Sequence, residues 1–193
     1  MRILFSGGAS GGHVNPALAI AEIMKANYPG CEIAFVGTPD GIENSLVPQA
    51  GYKLYKIKIE GINGKSGFGK IKAYARAFTS MFAAKRVVKE FKPDLVIGTG
   101  GYACWPALKA ACEMGIPTML HESNSVPGMA VRKLQNDVDV IMTNFESTRE
   151  RLSPNALVIN VGNPVRRDCS VLTKALARER LGIGEDKFVV LSF

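Results

Sequence analysis

Seven short apolar runs punctuate the chain: RILFS (2–6), EIAFVG (32–37), KLYKIKI (53–59), DLVIG (94–98), PTMLHE (117–122), DVIMT (139–143) and ALVINV (156–161). Between them lie stretches of helical periodicity near 15–27, 40–50, 70–91, 106–115, 128–136 and 145–152. Strands separated by helices in this rhythm predict βαβ units, hence an α/β fold with a parallel sheet and helices on both faces. Several runs are apolar at almost every position rather than at every second one, as strands buried on both faces require. With 47% hydrophobic and 21% charged residues in 193, the composition is that of a packed globular chain.

Some classes are excluded at once. No apolar stretch approaches the roughly 18 residues of a membrane span, and the opening MRILFSGG is too short and too glycine-broken for a signal peptide. Cys31, Cys104, Cys112 and Cys169 form no CxxC pair and no metal-ligand spacing with His13 and His121. They read as reduced thiols of a cytoplasmic protein, with no metal site. After GNPVRRD (162–168) come the helical TKALARERLGI and then KFVVLSF. That last run reads as the first strand of a second domain, which puts an expected boundary between 1–163 and 164–193; a final strand added to the first sheet is the alternative.

Two segments place glycines between a strand and a helix: FSGGASGGHVNPALAIAEIM (5–24) and GTGGYACWP (98–106). Glycine lets bare backbone come close to a ligand, and a helix N-terminus offers unpaired N–H groups with partial positive charge. The first loop has neither the lysine of a P-loop nor a regular G-x-G-x-x-G. It does have His13, which the sequence places just ahead of the helix, with Asn15-Pro16 supplying the helix start. A neutral imidazole there can accept a proton from a hydroxyl; packing against the helix start is its plainer use. Two such loops on neighbouring strand ends could bracket one diphosphate. In HESN (121–124), Asn124 or Ser125 could simply cap the next helix.

The net charge of +7 is uneven: residues 52–92 hold eleven Lys and Arg against Glu60 and Glu90. Within this segment, FGKIKAYARAFTSMFAAKRVVKEF (68–91) is basic and amphipathic, with Ile71, Ala75, Phe78 and Phe82 at helical spacing. Half of its apolar residues are expected to face the core. Ile71, Phe78, Met81 and Phe82 with Lys72 and Arg76 also fit a surface resting on anionic lipid. Nucleic acid is the rival partner for such charge, but no reading motif or aromatic platform accompanies it, so none is expected.

Four segments, GGASGGHVNPALAIAE, GTGGYACWPALKAA, IPTMLHESNSVPG and VGNPVRRD, resemble in order and spacing the N-terminal half of the MurG family. These are bacterial UDP-N-acetylglucosamine:N-acetylmuramyl-(pentapeptide) pyrophosphoryl-undecaprenol N-acetylglucosaminyltransferases, and the likeness covers essentially the whole chain. The resemblance implies the GT-B architecture, two Rossmann-like domains facing a cleft, of which this chain is the N-terminal, acceptor-holding one. It implies an inverting, metal-independent transferase without cofactor. Such an enzyme moves GlcNAc from UDP-GlcNAc to the 4-hydroxyl of the MurNAc unit of lipid I, giving lipid II for peptidoglycan at the cytoplasmic face of the membrane. Carried over by position, Ser10, Gly11, Gly12 and His13 match the first glycine loop, with His13 the base. Gly100, Gly101 and Tyr102 match the second loop, near the acceptor diphosphate, and Asn124 and Arg166 match positions that reach the UDP-sugar. His121 and Glu122 match cleft positions. This loop carries Ala9-Ser10 where the family commonly has one threonine, so either could face the ligand, and Cys104-Trp105 replace smaller residues in the second loop. Residues 1–193 by themselves are expected to be nearly inactive, since most donor contacts in the family belong to the C-terminal domain. Two other readings stay open: an acceptor-binding subunit of a split transferase, and a related glycosyltransferase acting on diacylglycerol.

Overall fold

All seven runs are strands, and all pair parallel in one sheet ordered β3-β2-β1-β4-β5-β6-β7. In chain order the elements are β1 (Arg2–Ser6), α1 (Gly11–Asn27), β2 (Glu32–Gly37), α2 (Glu43–Gln49), β3 (Lys53–Lys56), α3 (Phe68–Phe91) and β4 (Leu95–Gly98). There follow α4 (Cys104–Glu113), β5 (Thr118–Glu122), α5 (Met129–Leu134), β6 (Val140–Thr143), a 3-10 turn (Glu146–Arg151), β7 (Val158–Asn160) and α6 (Lys174–Leu181). The structure is a computed structural model; it describes residues 1–59, 68–166 and 172–190, and over 68–78 the helical backbone alone.

Period-two alternation sends each strand's side chains to two cores. On one face Ile3 and Phe5 of β1, Phe35 of β2 and Ile97 of β4 pack with Val14, Leu18 and Ala21 of α1 and Val47 of α2. On the other, Leu4, Val36, Val96, Leu120 and Ile141 pack with α3, α4 and α5 through Val88, Leu108 and Leu134. Phe5 and Phe35 stack at 5.1 Å between centroids; burying each contributes about 2–3 kcal/mol. Because neither face of β1 meets water between Arg2 and Ser6, its central residues Ile3, Leu4 and Phe5 are all apolar.

β1 lies between β2 and β4, and its last residue Ser6 is level with Val36 and Gly98. The chain therefore reverses direction across the sheet between β1 and β4. Ligands of open parallel sheets bind outside the carboxyl ends of the strands at such a point, and both glycine loops leave the sheet there.

Three expectations change. The first helix begins at Gly11 rather than near 15, because the Ser10 carbonyl accepts the N–H groups of both His13 (3.1 Å) and Val14 (3.2 Å); Pro16 sits inside the helix instead of opening it. The segment near 145–152 is only a 3-10 turn, anchored by buried Thr148, whose hydroxyl donates to the Asn124 carbonyl at 3.2 Å. Of KFVVLSF, residues 187–190 form no strand and Phe188 stands 94% exposed, while 191–193 lie outside the described residues. β7 is the last strand of the sheet among the described residues, and α6 buries none of its side chains.

Candidate functional site

The two glycine loops interlock. His13 is the third residue of α1, in its first turn, and its ring lies on the bare backbone of Gly100 and Gly101. A Cβ on Gly100 would stand 2.6 Å from Cδ2 and 3.1 Å from Nε2, and one on Gly101 would stand 3.1 Å from Nδ1 and 2.6 Å from the Gly8 carbonyl. Both glycines have left-handed backbone, φ +96° and +75°, which side chains rarely adopt. The only residue that fits twice, in space and in conformation, is glycine.

Hydrogen bonds weld the loops from below. The Thr99 hydroxyl donates to the His13 carbonyl at 2.7 Å, and the Ser6 hydroxyl to the Ala103 carbonyl at 3.1 Å. Above, the Ser10 Oγ lies 3.0 Å from His13 Nδ1. The N–H groups of Ser10, Gly11 and Gly12, and those of Gly101 and Tyr102, make no hydrogen bond among the described residues, whereas that of buried Gly100 is directed at the Cys104 sulfur. Gly12 is exposed, Gly101 and His13 are half-buried, and Tyr102 is exposed at the rim. Two helix N-termini, of α1 and α4, thus rise from adjacent strand ends with unbonded amides and an imidazole between them. That arrangement can cradle an anion and take a proton from a neighbouring hydroxyl.

The Cys104-Trp105 substitution does not crowd this surface. Cys104 is fully buried at the base of α4, where its thiol donates to the Gly101 carbonyl at 3.2 Å. Burial pushes that thiol up to about 12, so it stays protonated and inert. Trp105 packs against the core on the α3–α4 face.

The predicted residues of HESN and GNPVR sit differently. Asn124 is exposed, but its N–H and Nδ2 both donate to Glu122 Oε1 (2.9 and 2.8 Å), and Gly128 N–H donates to Oε2 at 2.7 Å. Buried Glu122 therefore orders the loop that opens α5, doing the work considered for Asn124 and Ser125. His121 is fully buried; its Nε2 lies 3.1 Å from the Gly162 carbonyl, so it ties β5 to the segment leaving β7. Burial holds His121 below its ordinary value, against the opposing influence of that carbonyl and of Glu122. Arg166 is not brought to the glycine loops. Its Nε lies 3.2 Å from Glu22 Oε1, nine residues and about 13 Å along α1 from His13.

On α3, Met81 is half-buried against the core rather than turned outward, while Phe82 is 61% exposed. The buried face of this stretch is Ser80, Ala84, Val87, Val88 and Phe91, a 3.6-residue period that leaves position 82 outside. The side chains of Ile71, Lys72, Arg76 and Phe78 lie outside the described residues. No helix among the described residues is long and apolar enough to cross a membrane.

Sequence reasoning missed Glu43. Its carboxylate is wholly buried, accepting from the Thr38 N–H (2.7 Å), the Thr38 hydroxyl (2.8 Å) and the Ala9 N–H (3.1 Å). Its trace in the sequence is three glycines, Gly8, Gly37 and Gly41, placed where its side chain passes. A separate concavity of about 370 Å³ lies between α1 and the sheet; its walls, Ile20, Met24, Ile97, Met119 and Met142, are apolar apart from His121 and suit no diphosphate. Among the described residues no group of three His, Cys, Asp or Glu stands close enough to hold a metal ion.

The profile of the glycosyltransferase family 28 N-terminal domain matches residues 3–143. The chain belongs to glycosyltransferase family 28. Within family 28 it is similar over its whole length to curated relatives. It is 41% identical over 192 residues to the UDP-N-acetylglucosamine--N-acetylmuramyl-(pentapeptide) pyrophosphoryl-undecaprenol N-acetylglucosamine transferase of Caldanaerobacter subterraneus subsp. tengcongensis, covering 53% of that protein. It is 40% identical over 195 residues to the enzyme of the same name from Clostridioides difficile, covering 48% of it. The chain spans about half the length of the curated relatives it matches. Among solved structures it resembles Acinetobacter baumannii MurG, with a TM-score of 0.72 and 31% identity over 84% of this chain and 46% of that one. A UDP-GlcNAc 2-epimerase from Neisseria meningitidis, 18% identical at a TM-score of 0.57 over 84% of this chain and 46% of its own, shares the fold alone. The family 28 match and the MurG likeness identify the seven-stranded sheet as the N-terminal domain of a GT-B glycosyltransferase.

Proposed function

We propose that this chain is the acceptor-binding N-terminal portion of an inverting N-acetylglucosaminyltransferase that passes GlcNAc from UDP-GlcNAc to lipid I, forming lipid II for peptidoglycan. The observation that carries the reading is the His13 ring lying on the Gly100–Gly101 backbone between two sets of unbonded amides. The names of the relatives supply the substrates.

In this reading the pyrophosphate of the acceptor is held by the N–H groups of Ser10–Gly12, Gly101 and Tyr102. His13 takes the proton of the MurNAc 4-hydroxyl as that oxygen attacks the anomeric carbon of GlcNAc. Ser10 Oγ accepting from Nδ1–H keeps the Nε2 lone pair free for this proton. The transition state has oxocarbenium character by analogy with glycoside cleavage, and the departing UDP is stabilised by preorganised donors rather than by a metal. Asn124 and Arg166 reach the UDP-sugar only if Asn124 exchanges its Glu122 bonds and Arg166 its Glu22 pair for donor contacts. Residues 164–193 belong to the linker and the start of a donor-binding domain, a division supported by α6 burying nothing.

The basic α3 region rests on the anionic cytoplasmic face of the membrane, with exposed Phe82 as its apolar contact, making the enzyme peripheral. Each basic residue near such a surface adds about 1 kcal/mol.

The test is transfer of radiolabelled GlcNAc from UDP-GlcNAc to lipid I by the full-length gene product, with His13→Ala alongside and diacylglycerol as the competing acceptor. Loss of about 10²–10⁴ in kcat for His13→Ala, with label on lipid I alone, is the expected result. Retained activity in the variant removes the base assignment, and label on diacylglycerol reassigns the acceptor.

A further inference from the structure

The first glycine loop contains one residue that glycine would suit better. Ala9 has φ +73°, left-handed backbone that a Cβ disfavours; such a conformation persists only where its surroundings hold it. What holds it is a single hydrogen bond, Ala9 N–H to Glu43 Oε2 at 3.1 Å, reaching across 34 positions of sequence. Glu43 begins α2, and its side chain threads through backbone with no Cβ in the way. At Gly8 a Cβ would stand 2.5 Å from Oε1, at Gly37 2.5 Å from Cγ, and at Gly41 it would collide with the carboxylate outright. The other oxygen is occupied by Thr38.

A carboxylate near the end of the second strand of a doubly wound sheet commonly faces a bound ribose. This one is turned the other way, with no exposed surface. A wholly buried anion is costly unless its lone pairs are met by donors, and one of those donors is the peptide immediately before the α1 cap. From Ala9 the geometry runs on: Ser10 caps α1 through its carbonyl, and its hydroxyl meets His13 Nδ1 at 3.0 Å.

We propose that Glu43 is a positioning residue for the transfer reaction, fixing the left-handed turn at Ala9 and through Ser10 the orientation of the His13 ring. Its carboxylate touches no ligand; it acts through the loop. The kinetic part of this inference rests on the transferase reading above, and the spectroscopic part does not.

Glu43→Gln keeps the shape but replaces one acceptor oxygen by an NH2 group, which meets the Ala9 N–H as donor against donor when the remaining oxygen serves Thr38. Expected in the 193-residue chain are Ala9 amide exchange faster by roughly tenfold and displaced His13 ring ¹⁵N resonances. In the full-length gene product kcat falls roughly tenfold while KM for UDP-GlcNAc stays within about twofold, since a misplaced group impairs chemistry before binding. Adding Ala9→Gly, which needs no anchor to adopt φ +73°, restores kcat to within about threefold of wild type. A role confined to holding the fold together would not be rescued there. Unchanged Ala9 exchange and His13 resonances in Glu43→Gln, or a double variant as slow as the single one, overturns the proposal. Should Glu43→Gln alone not fold, the double variant decides: folded with wild-type His13 resonances it supports the proposal, and unfolded it overturns it. If the wild type transfers no GlcNAc, displaced Ala9 and His13 signals still uphold the Glu43 link, and the transfer reading alone falls.

Discussion

Between the imidazole of His13 and the α-carbon of Gly100 there is no room for a methyl group: a Cβ added to the glycine would lie 2.6 Å from the ring's Cδ2. The candidate base is thus seated on the opposite loop, and its position depends on two residues that have no side chain.

Gly101→Ala meets the ring at Nδ1, the Gly8 carbonyl and a φ of +75° together. It is expected to destabilise the chain by about 1–3 kcal/mol, or roughly 3–10 °C in Tm for a chain of this size. Transfer should fall further than that loss of stability explains, because the ring is displaced as well. Thermal unfolding of the 193-residue variant, and GlcNAc transfer by the full-length gene product carrying the same substitution, check both.

Glu43 makes stability depend on acid. Burial raises its carboxyl, but the hydrogen bonds from Thr38, its own N–H and Ala9 outweigh burial and hold it below the ordinary value of 4.5. The unfolded chain therefore binds the proton more readily, and the contribution is whole above that value and lost as pH falls through the lower folded one. Urea unfolding from pH 6 downward should show wild type losing stability more steeply than Glu43→Gln below about pH 4.5.

His121 acts in a higher window. With its folded value depressed below 6.5 by burial, protonation favours the unfolded chain. Stability is complete above pH 6.5 and declines as pH drops toward the folded value. His121→Leu, which cannot protonate, should flatten the curve between pH 7.5 and 5.5 while losing the bond to Gly162; denaturant midpoints at several pH values check this.

Cys104 should be silent to thiol reagents in the folded chain. With the thiol pushed up to about 12, roughly one molecule in ten thousand carries thiolate at pH 8, and the sulfur is enclosed. Labelling of this residue should follow global unfolding, as mass spectrometry of alkylated peptides with and without urea would record.

Phe82→Ser removes an exposed ring from α3. Folding stability should change by no more than about 0.5 kcal/mol, while sedimentation with vesicles containing anionic lipid should weaken severalfold.

The strand and helix order was legible because burial on both faces of a parallel sheet demands continuous apolar runs, and RILFS and EIAFVG are such runs. The glycine loops were legible too, since GGASGG and GTGG admit backbone that other sequences resist. Boundaries were less so: Asn15-Pro16 looks like a helix start, yet the Ser10 carbonyl collects two N–H groups and nucleates the helix four residues sooner. KFVVLSF has the composition of a strand, but a strand exists only where a partner offers a ladder, and residues 187–190 have none among the described residues.

Sequence by itself determined the alternation of elements, the two glycine-rich turns and the placing of a titratable ring beside one of them, because those are properties of local composition and spacing. Tertiary structure alone decided that β4 lies next to β1, that the His13 ring rests on Gly100, and that Arg166 pairs with Glu22. It also decided that Glu43 reaches back to Ala9. Such contacts join residues tens of positions apart, and their partners are chosen by how sheet order and packing bring distant segments together, which no local pattern encodes.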